Sequence, residues 1–161
     1  MPDAVRAPGT GFHLPLLLFA GFRTLIDDLH AELARQGHPA ARPAHGFALQ
    51  AIGVQGTTAS ELGRRLGVSK QAAGKTVDNL SRLGYAERVD DPADARRKLV
   101  RLTPRGVDLL VRSGEIFDQL WARWAAAVGP QRLVDLEATL RLVVPGEIFR
   151  LDVPGWFGAA D

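Results

Sequence analysis

The chain has 161 residues, of which 46% are hydrophobic, and it carries a formal net charge of +2. This length and composition predict one packed domain and argue against wholesale disorder. The absence of cysteine excludes disulfides, thiolate catalysis and cysteine-based oxidation sensing, and it fits a cytoplasmic location. No apolar run reaches the length of a transmembrane helix, so we expect no membrane partner.

Apolar residues recur at helical spacing from Leu14 to Arg35, which predicts a long first helix. Leu16, Leu17 and Phe19 widen its apolar stripe at the N-terminal end. A helix that is apolar on more than one side must be covered from more than one side, and one small domain offers too little surface to do so. The sequence therefore predicts a homodimer. Residues 1–12 are interpreted as a loose arm.

Three short helices are predicted next. The second spans residues 40–53, the third starts at a capping box over Thr58–Glu61, and the fourth runs from Ser69 to about Leu83. Gly67 and Gly84 end the third and fourth helices. The residues expected to face the interior are Phe47, Leu49, Ile52, Ala73, Val77, Leu80 and Leu83.

A hairpin and two more helices complete the predicted order. Tyr85–Val89 and Lys98–Leu102 have the alternating pattern of two antiparallel strands joined by a polar loop. Thr103-Pro104 starts a helix to about Val128, and a last helix spans residues 131–143. Its apolar face is Leu133, Leu136, Leu140 and Val143. The tail after Pro145 is too apolar for a simple solvated terminus, with Ile148, Phe149, Leu151, Trp156 and Phe157.

Positive charge is concentrated in one part of the chain. Residues 61–105 hold eleven Lys/Arg and six Asp/Glu, whereas the remainder holds nine Lys/Arg and twelve Asp/Glu. Such asymmetry within one small domain is typical of polyanion binding, although an ordinary solvated surface is the alternative.

The start of the fourth helix carries groups suited to reading DNA. Its outward face shows Lys70, Gln71, Gly74 and Lys75. Gln can bond adenine with two hydrogen bonds, and Lys can reach guanine or phosphate. Gly74 permits close approach of the backbone to DNA or, equally, reflects packing against a neighbouring helix. Asp78 is expected to orient Lys75 and Arg82, which lie three and four residues away.

The predicted hairpin tip carries three consecutive cations, Arg96, Arg97 and Lys98. Their mutual repulsion favours an anionic partner, and the narrow minor groove of A·T-rich DNA attracts arginine. Asp94 is placed to brace Arg96 or the inner-strand residue Arg88. A charged loop that only maintains solubility is the alternative.

Together these pieces resemble the MarR family of bacterial transcriptional regulators. The residues that carry the resemblance are Val68-Ser69, Asp78-Asn79-Leu80, Leu83-Gly84-Tyr85, Arg88, Asp94-x-Arg96-Arg97, Val100-x-Leu102-Thr103 and Gly106. The resemblance implies a mainly α fold with a small antiparallel β-wing. In this single domain of residues 1–161, a winged helix-turn-helix lobe (40–103) is flanked by N- and C-terminal dimerisation helices (1–39 and 104–161).

The same resemblance implies which residues contact double-stranded DNA. By this resemblance, Arg96 enters the minor groove and Asp94 supports it. The start of the fourth helix contacts the major groove, and the third helix contacts phosphates. The complete set is Arg64, Arg65, Ser69, Lys70, Gln71, Lys75, Arg88, Asp94, Arg96, Arg97 and Lys98. A two-fold dimer would place its recognition helices about 34 Å apart, so the operator should be a pseudo-palindrome.

Family members often bind a small aromatic or anionic effector between the dimerisation helices and the DNA-binding lobe. The residues that could hold a phenolic carboxylate here are Phe22, Arg23, His45, Phe47, Phe117, Trp121 and Trp124. We favour the alternative that these aromatic residues form the dimer core.

Other chemistry has little support in the sequence. The spacing of His30, Glu32, His38 and His45 matches no compact metal site, so no metal or cofactor is expected. The sequence contains no recognisable nucleophile–base pair or phosphate-binding loop, so we do not expect the protein to be an enzyme. The leading interpretation is a dimeric DNA-binding repressor. The alternative is a ligand-independent DNA-binding or partner-binding winged-helix protein.

Overall fold

The computed structural model describes residues 10–144, which form six helices and one two-stranded sheet. The helices are α1 (His13–Arg35), α2 (Pro43–Ile52), α3 (Ala59–Leu66), α4 (Lys70–Arg82), α5 (Pro104–Val128) and α6 (Pro130–Val143); the strands are β1 (Ala86–Asp91) and β2 (Asp94–Leu102). The predicted fold class, mainly α with a small antiparallel β-wing, is confirmed. Most of the predicted arm and the whole apolar tail, residues 1–9 and 145–161, lie outside the described residues.

Side-chain caps start three of the helices where the sequence predicts them. The hydroxyls of Thr58, Ser69 and Thr103 each accept a hydrogen bond from the backbone N–H three residues later, at 3.1–3.2 Å. The predicted capping box at α3 is only half formed. The Glu61 carboxylate pairs with Arg64 and Arg65 of the same helix, because two guanidinium groups one turn away offer it a stronger partner than a neutral backbone N–H.

The hairpin is longer than the sequence predicts. Ala86 pairs with Leu102, Asp90 with Lys98 and Asp91 with Asp94, so that Pro92-Ala93 forms the turn and residues 95–97 bulge out between the last two pairs. The polar residues assigned to the loop are therefore mostly strand. Opposite charges across the ladder make this possible, since Lys98 is ion-paired with Asp90 and Arg101 with Glu87 at 2.7 Å.

One continuous apolar core joins α1, α2, the α3–α4 pair, the base of the hairpin and α5. Of the residues predicted to face inward, Leu49, Ile52, Ala73, Val77 and Leu80 are at most 1% exposed. Phe47 and Leu83 are only half-buried. On the predicted apolar face of α6, Leu133 is buried, whereas Leu136 is 44% and Val143 68% exposed in the single chain.

Candidate nucleic-acid interface

The exposed start of α4 presents three side chains that have no partner in the described part of the chain. Lys70, Gln71 and Lys75 are all exposed. They lie just after the cap at Ser69, whose hydroxyl accepts from the Ala72 N–H at 3.1 Å. The free N–H groups of a helix N-terminus favour anions. This end of α4 therefore combines backbone donors, two cations and one amide.

The sequence interpretation of Asp78 was wrong. Its carboxylate is ion-paired with Arg88 of β1, and it does not orient Lys75 and Arg82. Arg82 instead donates to the Asn79 side-chain oxygen at 2.6 Å. The reason lies in the tertiary structure: the hairpin packs on α4 and brings a guanidinium from ten residues away to Asp78.

Gly74 lies on the same helix, where its carbonyl oxygen is 3.4 Å from the Arg88 guanidinium. A Cβ built at Gly74 would meet nothing within 4 Å among the described residues. The proposed packing against a neighbouring helix is therefore wrong for the single chain. The approach of DNA to this backbone stays a prediction.

The three cations of the hairpin tip differ in how they are compensated. Lys98 is ion-paired with Asp90, and the Arg97 guanidinium lies 3.9 Å from the Asp91 carboxylate. The Arg96 guanidinium has neither an ion pair nor a hydrogen bond within residues 10–144. The Asp94 carboxylate accepts from the Arg96 backbone N–H at 3.0 Å, so it fixes the backbone at Arg96 and does not bind Arg88.

Next to the hairpin, an open cleft of about 610 Å³ separates the start of α3 from β2. Its lining residues are Thr57, Thr58, Ser60, Glu61, Arg64, Arg97 and Leu99. Two backbone hydrogen bonds between Thr57 and Val100, at 2.7 and 2.8 Å, attach the start of α3 to the hairpin. Sequence reasoning missed Thr57 and Ser60, because only the folded hairpin brings them beside a cation.

The two arginines of α3 are both engaged within the chain. Arg64 and Arg65 pair with Glu61, and Arg65 also donates to the Ala51 carbonyl oxygen at 2.7 Å. Arg64 keeps 78% of its side chain exposed. An exposed ion pair of this kind is weak and exchanges readily with a competing anion.

The aromatic residues considered for an effector lie on α1, α2 and α5. The Trp121 N–H donates to Glu137 of α6 at 2.9 Å, whereas the Trp124 ring lies 3.6 Å from the Cβ position of Gly21 on α1. Phe117 is 37% exposed and Phe22 is half-buried. Of the two polar candidates on these helices, Arg23 is exposed and its guanidinium lies 3.9 Å from Asp27.

Two histidines of the same helices, His30 on α1 and His45 on α2, are shielded from solvent. His45 Nδ1 accepts from the Arg42 N–H, and Nε2 is hydrogen-bonded to the Asn79 side chain, both at 3.1 Å. Neither ring nitrogen of His30 has a partner in the described residues, although both are shielded from solvent. Burial, followed by the positive charge of Arg42, lowers the pKa of both imidazoles. Both rings therefore favour the neutral form.

No three side chains of the metal-binding types converge between residues 10 and 144 in a way that could hold an ion. None of the helices in that range combines the length and hydrophobicity needed to cross a bilayer.

The helix–turn–helix of α3 and α4, followed by a two-stranded wing, defines a winged helix-turn-helix protein. Residues 42–97 match the family model described as MarR family. The matched segment runs from the start of α2 into β2, so in this lobe the chain is similar to the MarR family of winged-helix regulators. No curated protein matched the sequence.

Several solved structures share the fold. FabT from Streptococcus pneumoniae in complex with DNA has 16% identity and a TM-score of 0.67, over 81% of this chain and 92% of that one. Wild-type MarR from E. coli, in its apo form, has 24% identity and a TM-score of 0.61, with coverages of 82% and 97%. PcaV from Streptomyces coelicolor, in complex with its natural ligand, has 23% identity and a TM-score of 0.57, with coverages of 87% and 95%.

Proposed function

We propose that this protein is a cytoplasmic, DNA-binding transcriptional repressor that acts as a homodimer on a pseudo-palindromic operator. The observation that carries the proposal is the set of uncompensated cations on α4 and the wing. Lys70, Lys75 and Arg96 have no acidic partner in the described part of the chain, whereas most of the neighbouring arginines and lysines have one. Cations left free on one surface are available to neutralise phosphates or to enter a groove.

The geometry of the lobe agrees with the way such folds contact duplex DNA. α4 would enter the major groove with its first turn, where Gln71 and Lys75 could reach base edges. Arg96, at the end of the hairpin, would extend to the adjacent minor groove. The complex of FabT with DNA supports the proposal, because a protein of this fold binds DNA there.

The dimer is supported by the apolar surface that α1 exposes. All residues from 11 to 20 are exposed in the single chain, with Leu16 at 61%, Leu17 at 69% and Phe19 at 49%. Contiguous apolar surface of this kind marks interfaces. A second copy of the chain would cover this surface of α1, and a two-fold dimer carries two α4 helices that can contact two half-sites of one operator.

Release by a small aromatic or anionic ligand belongs to the same proposal. PcaV is described in complex with its natural ligand. In the present chain, the ring nitrogens of His30 are buried without a partner, and buried polar groups normally have one. A bound ligand would supply it. A ligand-independent regulator would lack this response and is the alternative.

The DNA-binding proposal is tested with the Arg96→Ala variant. Selection of duplexes from a random pool first identifies the operator, and affinities are then measured by fluorescence anisotropy. We expect Arg96→Ala to weaken operator binding by about 1–3 kcal/mol without loss of thermal stability. Arg132→Ala removes the same charge from α6 and should leave the affinity unchanged. If the parent selects no motif, or if both variants bind as the parent does, the proposal is wrong.

Ligand release is tested separately by titrating the protein–operator complex with benzoate and hydroxybenzoates. We expect one of these anions to dissociate the complex, and His30→Leu to abolish the response while operator affinity is retained. A complex that persists at millimolar concentrations of all of these anions would favour the ligand-independent alternative.

A further inference from the structure

His38 lies at the junction between the long helices and the winged lobe. It belongs to the connection of residues 36–42 between α1 and α2, and it is only 2% exposed. Its Nε2 is 2.9 Å from the Asp108 carboxylate on α5, and its Nδ1 is 3.2 Å from the Tyr85 hydroxyl, just before β1. One imidazole therefore joins its own segment to two others that are 47 and 70 residues away in sequence.

The chemistry of these groups fixes the direction of both hydrogen bonds in the neutral ring. A carboxylate only accepts, so His38 Nε2 carries the proton and donates to Asp108. Nδ1 is then an acceptor, and the Tyr85 hydroxyl donates to it. Asp108 stays ionised, because hydrogen bonds from Arg112 and then from His38 lower its pKa. All of the polar groups in this chain of contacts are satisfied.

Two arginines of α5 donate hydrogen bonds to the same connection between α1 and α2. Arg105 donates to the Gly37 carbonyl oxygen at 2.9 Å, and its guanidinium lies 5.1 Å from the centre of the Tyr85 ring. Arg112 donates to the Gln36 side-chain oxygen at 3.1 Å. The start of α5 thus binds both the connection after α1 and the residue that leads into the wing.

Directional bonds matter here because most of the buried side chains around His38 are apolar. The core that joins α1, α2 and α5 is continuous through the junction. Apolar burial is non-directional, so it permits small rotations of the lobe on the long helices. A hydrogen bond weakens steeply when its angle changes, and a buried group that loses its partner is destabilised. The polar contacts of His38 therefore select one orientation among those that the core tolerates.

We propose that His38, held between the Tyr85 hydroxyl and the Asp108 carboxylate, is a positioning residue that fixes the orientation of the winged lobe on α1 and α5 and thereby the spacing of the two α4 helices in the dimer. The consequence for spacing rests on the proposed function. The fixed orientation within one chain does not.

The orientation of the lobe on α5 is tested by pulsed electron–electron double resonance, which measures the distance between two spin labels. The chain contains no cysteine, so Lys75→Cys on α4 and Ala122→Cys on α5 provide two unique sites for spin labels. Labelled protein is diluted with excess unlabelled protein so that only distances within one chain are recorded. We expect the parent to show one narrow distance distribution. Tyr85→Phe, which keeps the ring but removes the hydroxyl, should broaden or shift it.

Ser113→Ala is the matched control. It removes a hydroxyl of α5 that donates to Leu109 within the same helix at 2.7 Å, and it should leave the distribution narrow. Asp108→Ala, at a half-exposed position, removes the acceptor for His38 Nε2 and is a second variant in case Tyr85→Phe does not fold. Distributions identical to the parent in the folded Tyr85 and Asp108 variants would overturn the proposal, whether or not the protein binds DNA.

Operator spacing provides the functional readout. Duplexes are prepared with the selected half-sites moved together or apart by one base pair, about 3.4 Å. The parent should bind both altered duplexes much more weakly than the selected one. In Tyr85→Phe the ratio of these affinities should be smaller by about fivefold, the typical effect of one buried hydrogen bond. Affinity for a duplex with a single half-site should not change. Equal discrimination by the parent and by Tyr85→Phe would remove the link to spacing.

Discussion

The Arg88 guanidinium of β1 is ion-paired with the Asp78 carboxylate of α4, and it also lies 3.4 Å from the Gly74 carbonyl oxygen. This pair joins the wing to the helix that we propose for the major groove. Its side chains are 40% and 64% exposed, so water screens the interaction and its contribution to stability is about 0–1 kcal/mol. Its main effect is on position, because it fixes the hairpin relative to the first turns of α4.

The compensated charge of Arg88 predicts how DNA binding depends on salt. Each cation that neutralises a phosphate lowers the slope of log K against log salt concentration by about 0.9. Lys75→Gln removes a cation that has no acidic partner between residues 10 and 144, so it should make the slope less negative by about that amount. Arg88→Gln should weaken binding but leave the slope nearly unchanged, since Asp78 already balances its charge. A titration between low and moderate salt measures both, and equal slopes for the two variants would contradict the assignment.

The exposed apolar surface of α1 predicts the effect of a charge at its centre. Leu17→Glu should convert the dimer into monomers. Each dimer loses two leucine contacts, and a buried leucine contributes about 1.5–3 kcal/mol, so the dissociation constant should rise at least ~100-fold. Val54→Glu, at an 84% exposed position of the winged lobe, is the control and should stay dimeric. Sedimentation velocity distinguishes them. A parent that sediments as a monomer would refute the dimer itself.

Close packing of α5 on the base of the wing predicts opposite effects for two glycines of the same helix. A Cβ at Gly106 would lie 2.0 Å from the Tyr85 carbonyl oxygen, whereas a Cβ at Gly114 would meet nothing within 4 Å among the described residues. Gly106→Ala should therefore destabilise the fold by at least ~1–3 kcal/mol. Gly114→Ala should stabilise it by about 0.5–1 kcal/mol through the backbone entropy of glycine. Urea unfolding measures both, and equal effects would contradict the packing.

The lowered pKa values of two imidazoles predict a loss of stability in mild acid. Burial and the charge of Arg42 lower the pKa of His45 and of His30, so the folded state binds protons less readily than the unfolded state. The free energy of unfolding should therefore fall as the pH decreases through 6.5, the ordinary value of histidine. Protonation would also turn His45 Nδ1 into a donor facing the Arg42 N–H.

The size of this effect should be on the order of 1 kcal/mol between about pH 7.5 and about pH 5.5. A protein with both His30→Gln and His45→Gln should show a clearly smaller difference in unfolding free energy over the same range. Urea unfolding at the two pH values gives the comparison. If the variant loses as much stability as the parent, these imidazoles are not the cause.

Much of the fold could be predicted because local signals and the apolar pattern agreed. The caps at Ser69 and Thr103, the left-handed Gly67 with φ 66° and the breaks between elements place the helices within about three residues. The hairpin was underestimated, because its outer residues are polar and their stability in a strand depends on partners such as Asp90 for Lys98. The residue that pairs with a given position across a β-ladder cannot be read from the sequence of one strand.

The candidate site was predicted in part. The start of α4 and Arg96 are exposed, as the pattern predicted, but their contacts with DNA stay predictions. Asp78 was assigned to its own helix, because spacing along one helix is all that a sequence displays, and its partner Arg88 comes from the wing. The roles of Arg64 and Arg65 were also simplified, since both pair with Glu61.

The sequence by itself determined the order of the elements, their caps and the sign and location of the surface charge, because each depends on residues within a few positions of one another. The tertiary structure decided which charges stay free and which residues join the lobe to the long helices. Arg88 is ion-paired and Arg96 has no acidic partner among residues 10–144 because of where the hairpin packs. His38 meets Tyr85 and Asp108, at sequence separations of 47 and 70 residues, only because folding brings three segments to one buried point.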